Sequence, residues 1–236
     1  MASVEPYLKV LQEMLDLKVR RVLGIGAEAL LVEGDLNGLR VVVKYRVPKE
    51  YRDPALDAQL RRQRTSLEAK LLCKAAEAGV RVPDVVYVDG EEGVLVLSYV
   101  QGTRMKELID RAHERVAGYA RELGLMVGRL HEHGIIHGDL TTSNVVISGD
   151  SVYLIDFGLG FFSKRVEDAG VDLHLFRRAL ESTHPGLVGL LYAEFVNGYR
   201  EAREGERAEE VLRKAEEIRL RGRYVSERRL KAFWKG

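Results

Sequence analysis

The sequence predicts an α+β fold in which a small, sheet-rich N-terminal part is followed by a larger helical part. Short β-branched runs separated by glycine turns fill much of residues 22–97, whereas apolar residues at helical spacing dominate from residue 105 onward. The length of 236 residues is enough for two small lobes. We therefore predict an N-lobe over residues 1–97 and a C-lobe over residues 98–236.

The composition is that of an ordinary globular protein, with 46% hydrophobic and 31% charged residues. A formal net charge of +1 gives no global field for nucleic acid, so any basic surface must be local. The single cysteine, Cys73, excludes an intrachain disulfide, and its neighbours Leu71 and Leu72 predict that it is buried. The sequence shows neither a membrane-spanning apolar run nor a signal-peptide pattern, so we expect a cytoplasmic protein.

The chain begins with a predicted helix and a glycine-containing hairpin. Apolar residues at helical spacing predict a docking helix over residues 4–18. Gly24 and Gly26 then interrupt an apolar run, and turn residues precede a strand over residues 39–44. Glycines and the loop around Glu28 allow backbone N–H groups to approach a phosphate, although a plain hairpin turn explains the same pattern.

Lys44 ends the third predicted strand, and Glu68 lies at the edge of the apolar stripe of a helix over residues 54–78. Lys44 is either a solvated strand end or a ligand of ATP phosphates that a carboxylate holds in place, and Glu68 is the best placed carboxylate. The charged stretch of residues 46–64 is interpreted either as a solvated face or as a surface for a polyanion or a partner.

Residues 137–158 carry the most specific chemistry. Asn144 follows Asp139 by five positions, and an apolar run leads into Asp156. Carboxylate and amide oxygens are the hard ligands that Mg²⁺ prefers, and one aspartate can instead accept a proton. Earlier, predicted strands over residues 85–88 and 94–97 lead to a connection that contains Ser98 and Val100, whose backbone groups a purine can bind.

These features follow one another in the order found in protein kinases. The order is glycine hairpin, strand lysine, helix glutamate, His-x-Asp with its asparagine, and Asp-Phe-Gly. It implies a two-lobed protein-kinase-like fold with ATP in the cleft. Five segments resemble the small atypical kinase subunit of the KEOPS complex. They are the Gly-Ala-Glu-Ala loop, the helix around Glu68, the His-Gly-Asp loop, the Asp-Phe-Gly-Leu-Gly turn and the tail over residues 221–229. The resemblance covers the chain from about residue 19 to its end.

The resemblance implies ATP and Mg²⁺ as cofactors and support of threonylcarbamoyladenosine synthesis on transfer RNA, together with serine/threonine kinase activity. It implies a threonylcarbamoyl transferase partner on the C-lobe and a small regulatory partner on the N-lobe. Lys44 is expected to contact the phosphates and pair with Glu68, Asp139 to be catalytic, and Asn144 and Asp156 to hold magnesium. Residues Gly24, Gly26 and Glu28 are expected to cover the phosphates, and Asp172 to brace the catalytic loop.

Several features depart from ordinary protein kinases. Ala29 replaces a third glycine, Gly138 replaces an arginine, and Thr141 replaces a lysine near the transferred phosphate. An Ala-Pro-Glu sequence is missing after Asp156, and only a short segment precedes the next predicted helix, which starts near Asp172. A peptide platform is therefore not evident, and water becomes a plausible phosphoryl acceptor when a partner completes the site.

The C-terminal tail is basic, with interleaved aromatic residues. It is interpreted either as a solvated terminus or as a surface that contacts RNA phosphates and stacks on bases, and the resemblance favours transfer RNA or the partner's cleft. The arginines assigned to this role are Arg219, Arg221, Arg223, Arg228 and Arg229.

Three other functions compete with a KEOPS ATPase or kinase. A stand-alone RIO-like serine/threonine kinase would phosphorylate proteins without partners. A non-catalytic scaffold is disfavoured because pseudokinases usually lack a member of the catalytic set. A small-molecule kinase of the aminoglycoside type usually needs a larger helical insertion than 236 residues allow.

Overall fold

The computed structural model describes residues 4–26, 28–109, 113–203 and 205–233, with only the backbone described for residues 113–114 and 222–233. The chain divides into two compact units. The N-terminal unit runs to Ala76 and includes Val82–Gln101, and the C-terminal unit comprises Glu77–Arg81 and the chain from Gly102 onward. In the part of the chain described, no helix is both long and apolar enough to span a membrane.

An antiparallel five-stranded sheet forms the frame of the N-terminal unit. Its strands are β1 (Lys18–Ile25), β2 (Leu30–Leu36), β3 (Leu39–Tyr45), β4 (Val85–Asp89) and β5 (Val94–Ser98). They lie in the order β1-β2-β3-β5-β4. Asn37 and Gly38 both have positive φ in the two-residue turn between β2 and β3, which is the conformation that tight hairpins require. The predicted hairpin and following strand are confirmed.

The first helix, α1 (Glu5–Leu15), docks on this sheet as predicted. Its Leu11 is fully buried and shares a core with Val32 and Val43. The helix ends three residues before the predicted position because Asp16 adopts a left-handed conformation with φ of 51°.

The long helix α2 (Pro54–Glu77) agrees closely with the predicted residues 54–78. Its buried stripe passes through Thr65, Glu68, Leu72 and Ala75 at helical spacing. The prediction of a buried cysteine is wrong, because Cys73 lies outside this stripe and is exposed.

The C-terminal unit is mainly helical. Its close helix pair, α4 (His113–Glu132) and α6 (Val188–Ala202), meets at Gly124 and Gly198. There an added Cβ would lie 1.9 Å from the Phe195 carbonyl oxygen and 1.8 Å from that of Arg121. Only glycine permits this approach of two backbones. The helices are α3 (Met105–Ile109), α4 (His113–Glu132), α5 (Val166–Thr183), α6 (Val188–Ala202) and α7 (Glu206–Phe233), with 3₁₀ turns at Thr142–Asn144 and Pro185–Leu187.

Two small sheets support the catalytic loop in this unit. Their strands are β6 (Thr103–Arg104), β7 (Ile135–Ile136), β8 (Val145–Ser148), β9 (Ser151–Leu154) and β10 (Phe161–Phe162). One sheet has the order β6-β8-β9, and the other pairs β10 with β7.

The helical pattern expected from residue 105 onward begins with α3 and α4, but one predicted boundary in this unit is wrong. The helix predicted to begin near Asp172 begins at Val166, because Arg165 already occupies the N-cap in an extended conformation. The basic tail is helical, because α7 continues as far as Phe233.

Candidate active site

The N-terminal unit brings Lys44 and Glu68 together. Lys44, near the end of β3, is 8% exposed, and its Nζ donates to Glu68 Oε1 at 2.8 Å. Glu68 is 1% exposed and reaches β3 from the buried stripe of α2. The pair is thus held away from water, where its attraction is stronger than at a surface.

A third member of this cluster, Arg46, was missed by the sequence analysis. Arg46 is 2% exposed, and its Nη2 donates to Glu68 Oε2 at 2.6 Å. Its Nη1 lies 3.4 Å from the Thr65 hydroxyl, one turn earlier on α2. The spacing Lys-x-Arg across the end of β3 was the available signal, since alternate residues of an extended chain point to the same side.

The interpretation of residues 46–64 as a solvated face is wrong for its central members. Asp57 is buried, and it accepts hydrogen bonds from Arg61 Nε at 2.9 Å and from Arg52 Nη1 at 3.3 Å. Burial acts to raise the pKa of Asp57, but the hydrogen bonds from the two arginines and from the Lys49 backbone outweigh it and lower that pKa. These contacts anchor the first turns of α2.

The glycine loop joins β1 and β2 as a tight connection. Gly24 lies in β1 opposite Leu31, and the Gly26 N–H donates to the Ala29 carbonyl at 2.9 Å. Glu28 forms an ion pair with Arg64 of α2, so the loop is tied to the same helix that carries Glu68.

The connection after β5 offers less to a purine than expected. The Ser98 N–H donates to the Asp84 carbonyl at 2.9 Å, and the Ser98 hydroxyl accepts from the Asp84 N–H at 2.8 Å. The Ser98 N–H is therefore engaged within the unit. Val100 lies beyond these bonds and is half-buried.

The catalytic loop of the C-terminal unit is organised by His137. The Asp139 N–H donates to His137 Nδ1 at 3.2 Å, and His137 Nε2 lies 3.1 Å from the Ile155 carbonyl. A backbone N–H only donates and a carbonyl only accepts, so the contacts assign the imidazole proton to Nε2 and a neutral ring. His137 thereby links Asp139 to the residue before Asp156.

Asn144 and Asp139 are in direct contact. Asn144 Nδ2 donates to Asp139 Oδ2 at 2.8 Å and to the Asp139 carbonyl at 2.9 Å. This assignment of the amide leaves Asn144 Oδ1 as the atom that can coordinate a cation.

The predicted brace from Asp172 is confirmed. Its carboxylate, fully buried on α5, accepts the His137 N–H at 2.7 Å and the Gly138 N–H at 2.8 Å. Burial acts to raise the pKa of Asp172, but the hydrogen bonds from His131 and from the backbone N–H of His137 lower that pKa overall.

Asp156 holds an unusual backbone conformation, with φ of 64°. Its Oδ1 accepts the Gly158 N–H at 3.1 Å, and Phe157 is fully buried with its ring 4.7 Å from that of His137. A left-handed aspartate costs free energy and is typical of functional sites.

Within the described residues, no group of three or more His, Cys, Asp or Glu side chains is placed to hold a metal. The donor set of Asn144 and Asp156 instead suits Mg²⁺, which takes few protein oxygens, keeps several waters and binds substrate phosphates.

The predicted tail arginines are only partly described. Arg219 pairs with Glu216 and Arg221 with Glu167. The side chains of Arg223, Arg228 and Arg229 lie outside the described residues.

Comparison with known proteins gives the family. Residues 40–161 match the RIO domain. The KEOPS complex subunit Bud32 of Pyrococcus abyssi is 44% identical over 84% of this chain and 94% of its own length. The chain belongs to the Bud32 family. A probable serine/threonine-protein kinase BUD32 homolog of Archaeoglobus fulgidus is 40% identical, over 86% of this chain and 95% of its own length.

Members of the Bud32 family also occur within longer proteins. A probable bifunctional tRNA threonylcarbamoyladenosine biosynthesis protein of Methanothermobacter thermautotrophicus is 40% identical over 86% of this chain, which spans only 36% of that protein.

A solved structure supports the fold. The Rio2 kinase–ADP/Mg²⁺–phosphoaspartate complex from Chaetomium thermophilum superposes with a TM-score of 0.62 and 18% identity, covering 89% of this chain and 75% of that one. The predicted kinase-like α+β fold is confirmed. The expected enzyme class, an atypical kinase or phosphotransferase, is likewise confirmed by the Bud32 family and its RIO domain.

Proposed function

We propose that this Bud32-family chain hydrolyses or transfers the γ-phosphate of ATP, with Mg²⁺, in support of threonylcarbamoyladenosine modification of transfer RNA within a KEOPS complex. The observation that carries the proposal is the contact of Asn144 with Asp139 in a catalytic loop braced by Asp172. Burying the Asp172 carboxylate costs desolvation free energy. A non-catalytic scaffold would have no need of a loop held in this way.

Each residue of the catalytic set has a defined task in this proposal. Lys44, oriented by Glu68, binds the phosphates, with Gly24, Gly26 and Glu28 in the loop that covers them. Asn144 and Asp156 hold Mg²⁺, which neutralises charge on the transferred phosphate. Asp139 orients the attacking oxygen. Val100 supplies the backbone contact to the purine, since the Ser98 N–H is engaged with Asp84.

Water is the favoured acceptor once a partner completes the site. The segment between Gly158 and Val166 is short and tied down: Phe161 and Phe162 pair with β7, and the Ser163 N–H donates to the Gly134 carbonyl at 2.9 Å. A segment held in this way offers little surface for an extended peptide substrate, so a protein partner is expected to complete the site.

The names of the relatives support the assembly. KEOPS appears in the name of the Pyrococcus abyssi relative, and threonylcarbamoyladenosine biosynthesis in that of the Methanothermobacter protein. We propose a threonylcarbamoyl transferase subunit on the C-terminal unit, a small regulatory subunit on the N-terminal unit, and a cytoplasmic location with transfer RNA. The basic tail, with Arg219 and Arg221 at its start, is proposed to contact that RNA.

The second candidate is a stand-alone RIO-like serine/threonine kinase, which the RIO-domain match favours. One experiment separates the two. ATP hydrolysis and phosphotransfer to protein are measured for the full chain alone, with the transferase partner, and with transfer RNA added. Hydrolysis that rises with partner and RNA supports the first function, and phosphorylation of added protein by the chain alone supports the second.

Two variants sharpen this experiment. Asp156→Ala is expected to abolish both activities, and unchanged activity would overturn the magnesium assignment. Truncation after Leu220 is expected to weaken stimulation by RNA and its salt dependence. Stimulation that survives the truncation with the same salt dependence rules out a role of the tail.

A further inference from the structure

A basic cavity of about 290 Å³ lies in the C-terminal unit, among residues that the proposed ATP chemistry does not use. It is formed where the end of α4, the segment before α5 and the junction of α6 with α7 come together. Its charged lining residues are Glu132, Lys164, Arg165, Arg203 and Arg207.

The cavity carries an excess of positive charge. Four cationic side chains face one carboxylate, which leaves a net charge of three positive units. Glu132 is already shared, since it pairs with Arg207 and its Oε2 lies 3.3 Å from Arg203 Nε. That contact is an ion pair without hydrogen-bond geometry, because Arg203 Nε is buried and makes no hydrogen bond. Such a cavity favours a doubly charged anion over a single carboxylate.

The start of α5 also favours the binding of an anion in this cavity. Arg165 is the N-cap and makes no side-chain capping bond, and Val166 of the first turn lines the cavity. The first N–H groups of an 18-residue helix favour negative charge. The nearby Asp168 carboxylate does not compete for them fully, because it accepts the Ser163 hydroxyl at 2.6 Å.

A buried chain of hydrogen bonds leads from Arg203 to the catalytic loop. Arg203 Nη1 donates to the Tyr199 hydroxyl at 3.2 Å, which lies 3.0 Å from His131 Nδ1. His131 Nε2 lies 3.3 Å from Asp172 Oδ2, and Asp172 holds the N–H groups of His137 and Gly138.

All inner members of this chain are closed off from solvent. Tyr199 and Asp172 are fully buried and His131 is 5% exposed. Burial raises the pKa of Tyr199 to about 12, so its hydroxyl keeps its proton. When the Tyr199 hydroxyl accepts from Arg203 and donates to His131 Nδ1, and His131 Nε2 donates to Asp172, every donor points the same way.

We propose that this cavity binds the phosphate group of a phosphomonoester, and that the chain Arg203–Tyr199–His131–Asp172 transmits its occupancy to the catalytic loop. An anion drawn to Arg203 competes with Glu132 and Tyr199 for its guanidinium. The Tyr199 hydroxyl, and through it His131 and Asp172, then changes its hydrogen bonding beside His137 and Gly138. The binding of phosphate does not depend on the proposed function, whereas an effect of this binding on ATP turnover rests on the proposed function.

A phosphomonoester fits better than an RNA backbone. A monoester carries close to two negative charges at neutral pH and ends in three free oxygens, whereas a phosphodiester carries one charge and has chain on both sides. The cavity admits a terminal group, and its apolar lining, which includes Ile136, Val166 and Val211, can contact a short carbon stem. Inorganic phosphate and a phosphorylated serine side chain share this chemistry.

The binding test uses the full chain and isothermal titration with three probes: inorganic phosphate, a phosphoserine peptide and a single-stranded RNA. Titrations are run with and without ADP and Mg²⁺ to separate binding at a nucleotide site. The variant Lys164→Ala/Arg165→Ala removes two exposed cations of the cavity. The matched control, Lys106→Ala/Arg115→Ala, removes an exposed lysine and an exposed arginine elsewhere in the same unit.

We expect the cavity variant to bind the phosphate probes about tenfold more weakly and the control to bind them like wild type. Tighter binding of the peptide than of inorganic phosphate identifies a phosphorylated protein as the source, and the reverse identifies free phosphate. Equal affinities in all three proteins, or binding of RNA alone, overturn the proposal.

The transmission test follows the amide resonances of His137 and Gly138 by NMR during phosphate titration, a readout that needs no ATP turnover. Tyr199→Phe keeps the buried ring and its edge contact with His131 but removes the hydroxyl. We expect the wild-type amides to shift on titration, and the variant to bind phosphate within about twofold of wild type with that shift lost.

A second variant covers the case in which Tyr199→Phe does not fold. Arg203→Lys keeps a cation in the cavity but loses the planar fork that reaches Tyr199. It is expected to bind phosphate and to leave the His137 and Gly138 amides unshifted. Amides that do not move in wild type, or that move equally in a folded variant, overturn the transmission.

Discussion

Arg46 and Lys44 share one carboxylate, that of Glu68, on opposite oxygens at 2.6 Å and 2.8 Å. Helix α2 is therefore tied to the strand β3 region by two cations rather than one. Because Arg46 also approaches Thr65, it holds a full turn of the helix. This arrangement keeps Glu68 in position whether or not Lys44 is engaged with a phosphate.

Replacing Arg46 by methionine is expected to destabilise the protein by about 3 kcal/mol, since it leaves one oxygen of a buried carboxylate without its cation. Urea unfolding at neutral pH measures the loss. The control Arg62→Met removes an exposed arginine that pairs with Glu91, and its expected cost is below about 0.5 kcal/mol. Equal costs for the two variants contradict a buried three-membered cluster.

Replacing Asn144 by alanine is expected to lower kcat for ATP hydrolysis about 100-fold and to raise the Mg²⁺ concentration needed for half-maximal rate. The change removes both the donor to Asp139 and an oxygen for the metal. Steady-state kinetics across a magnesium series measure both effects. Asn197→Ala, an exposed position on α6, serves as the control and should change neither. An unchanged magnesium requirement in Asn144→Ala contradicts the assignment of Asn144 as a ligand.

Asp172→Asn is expected to cost about 3 kcal/mol at pH 7, because an amide replaces a buried carboxylate that accepts two backbone N–H groups. The folded pKa of Asp172 is lowered, so the stability it contributes is present above the unfolded pKa of about 3.9 and is lost as pH falls through the folded pKa. The gap between wild type and variant should therefore shrink in acid.

Urea unfolding at pH 7 and near pH 3 checks this prediction, with Asp150→Asn at an exposed turn as the control. A gap that stays the same at both pH values would show that Asp172 does not titrate as its hydrogen bonds require.

His137 is expected to be neutral and protonated on Nε2 in the folded protein, since its Nδ1 accepts the Asp139 N–H. Two-bond ¹⁵N–¹H correlation spectra of labelled histidine distinguish the tautomers. His133, whose exposed ring lies against the Arg129 carbonyl, is an internal comparison. A proton found on His137 Nδ1 would break the inferred link between His137 and Asp139.

Much of the architecture follows from local pattern. The alternation and glycine turns of the N-terminal strands, and the helical spacing of α1 and α2, are strong because each buries one face against a single core. The start of α5 was predicted wrongly. This helix begins at Val166 rather than near Asp172, and its first turn contains Glu167 and Asp168, which interrupt the apolar spacing that predicts a helix.

The sequence by itself determined the kinase-like order of Lys44, Glu68, Asp139, Asn144 and Asp156, because ATP chemistry demands those residue types at nearly fixed spacings. Only the tertiary structure decided which residues support them. Arg46, His131 and Tyr199 come from distant parts of the chain, and their side chains are typical of solvated surfaces or of core filling. Their roles depend on burial and on the direction of individual hydrogen bonds, which no local pattern encodes.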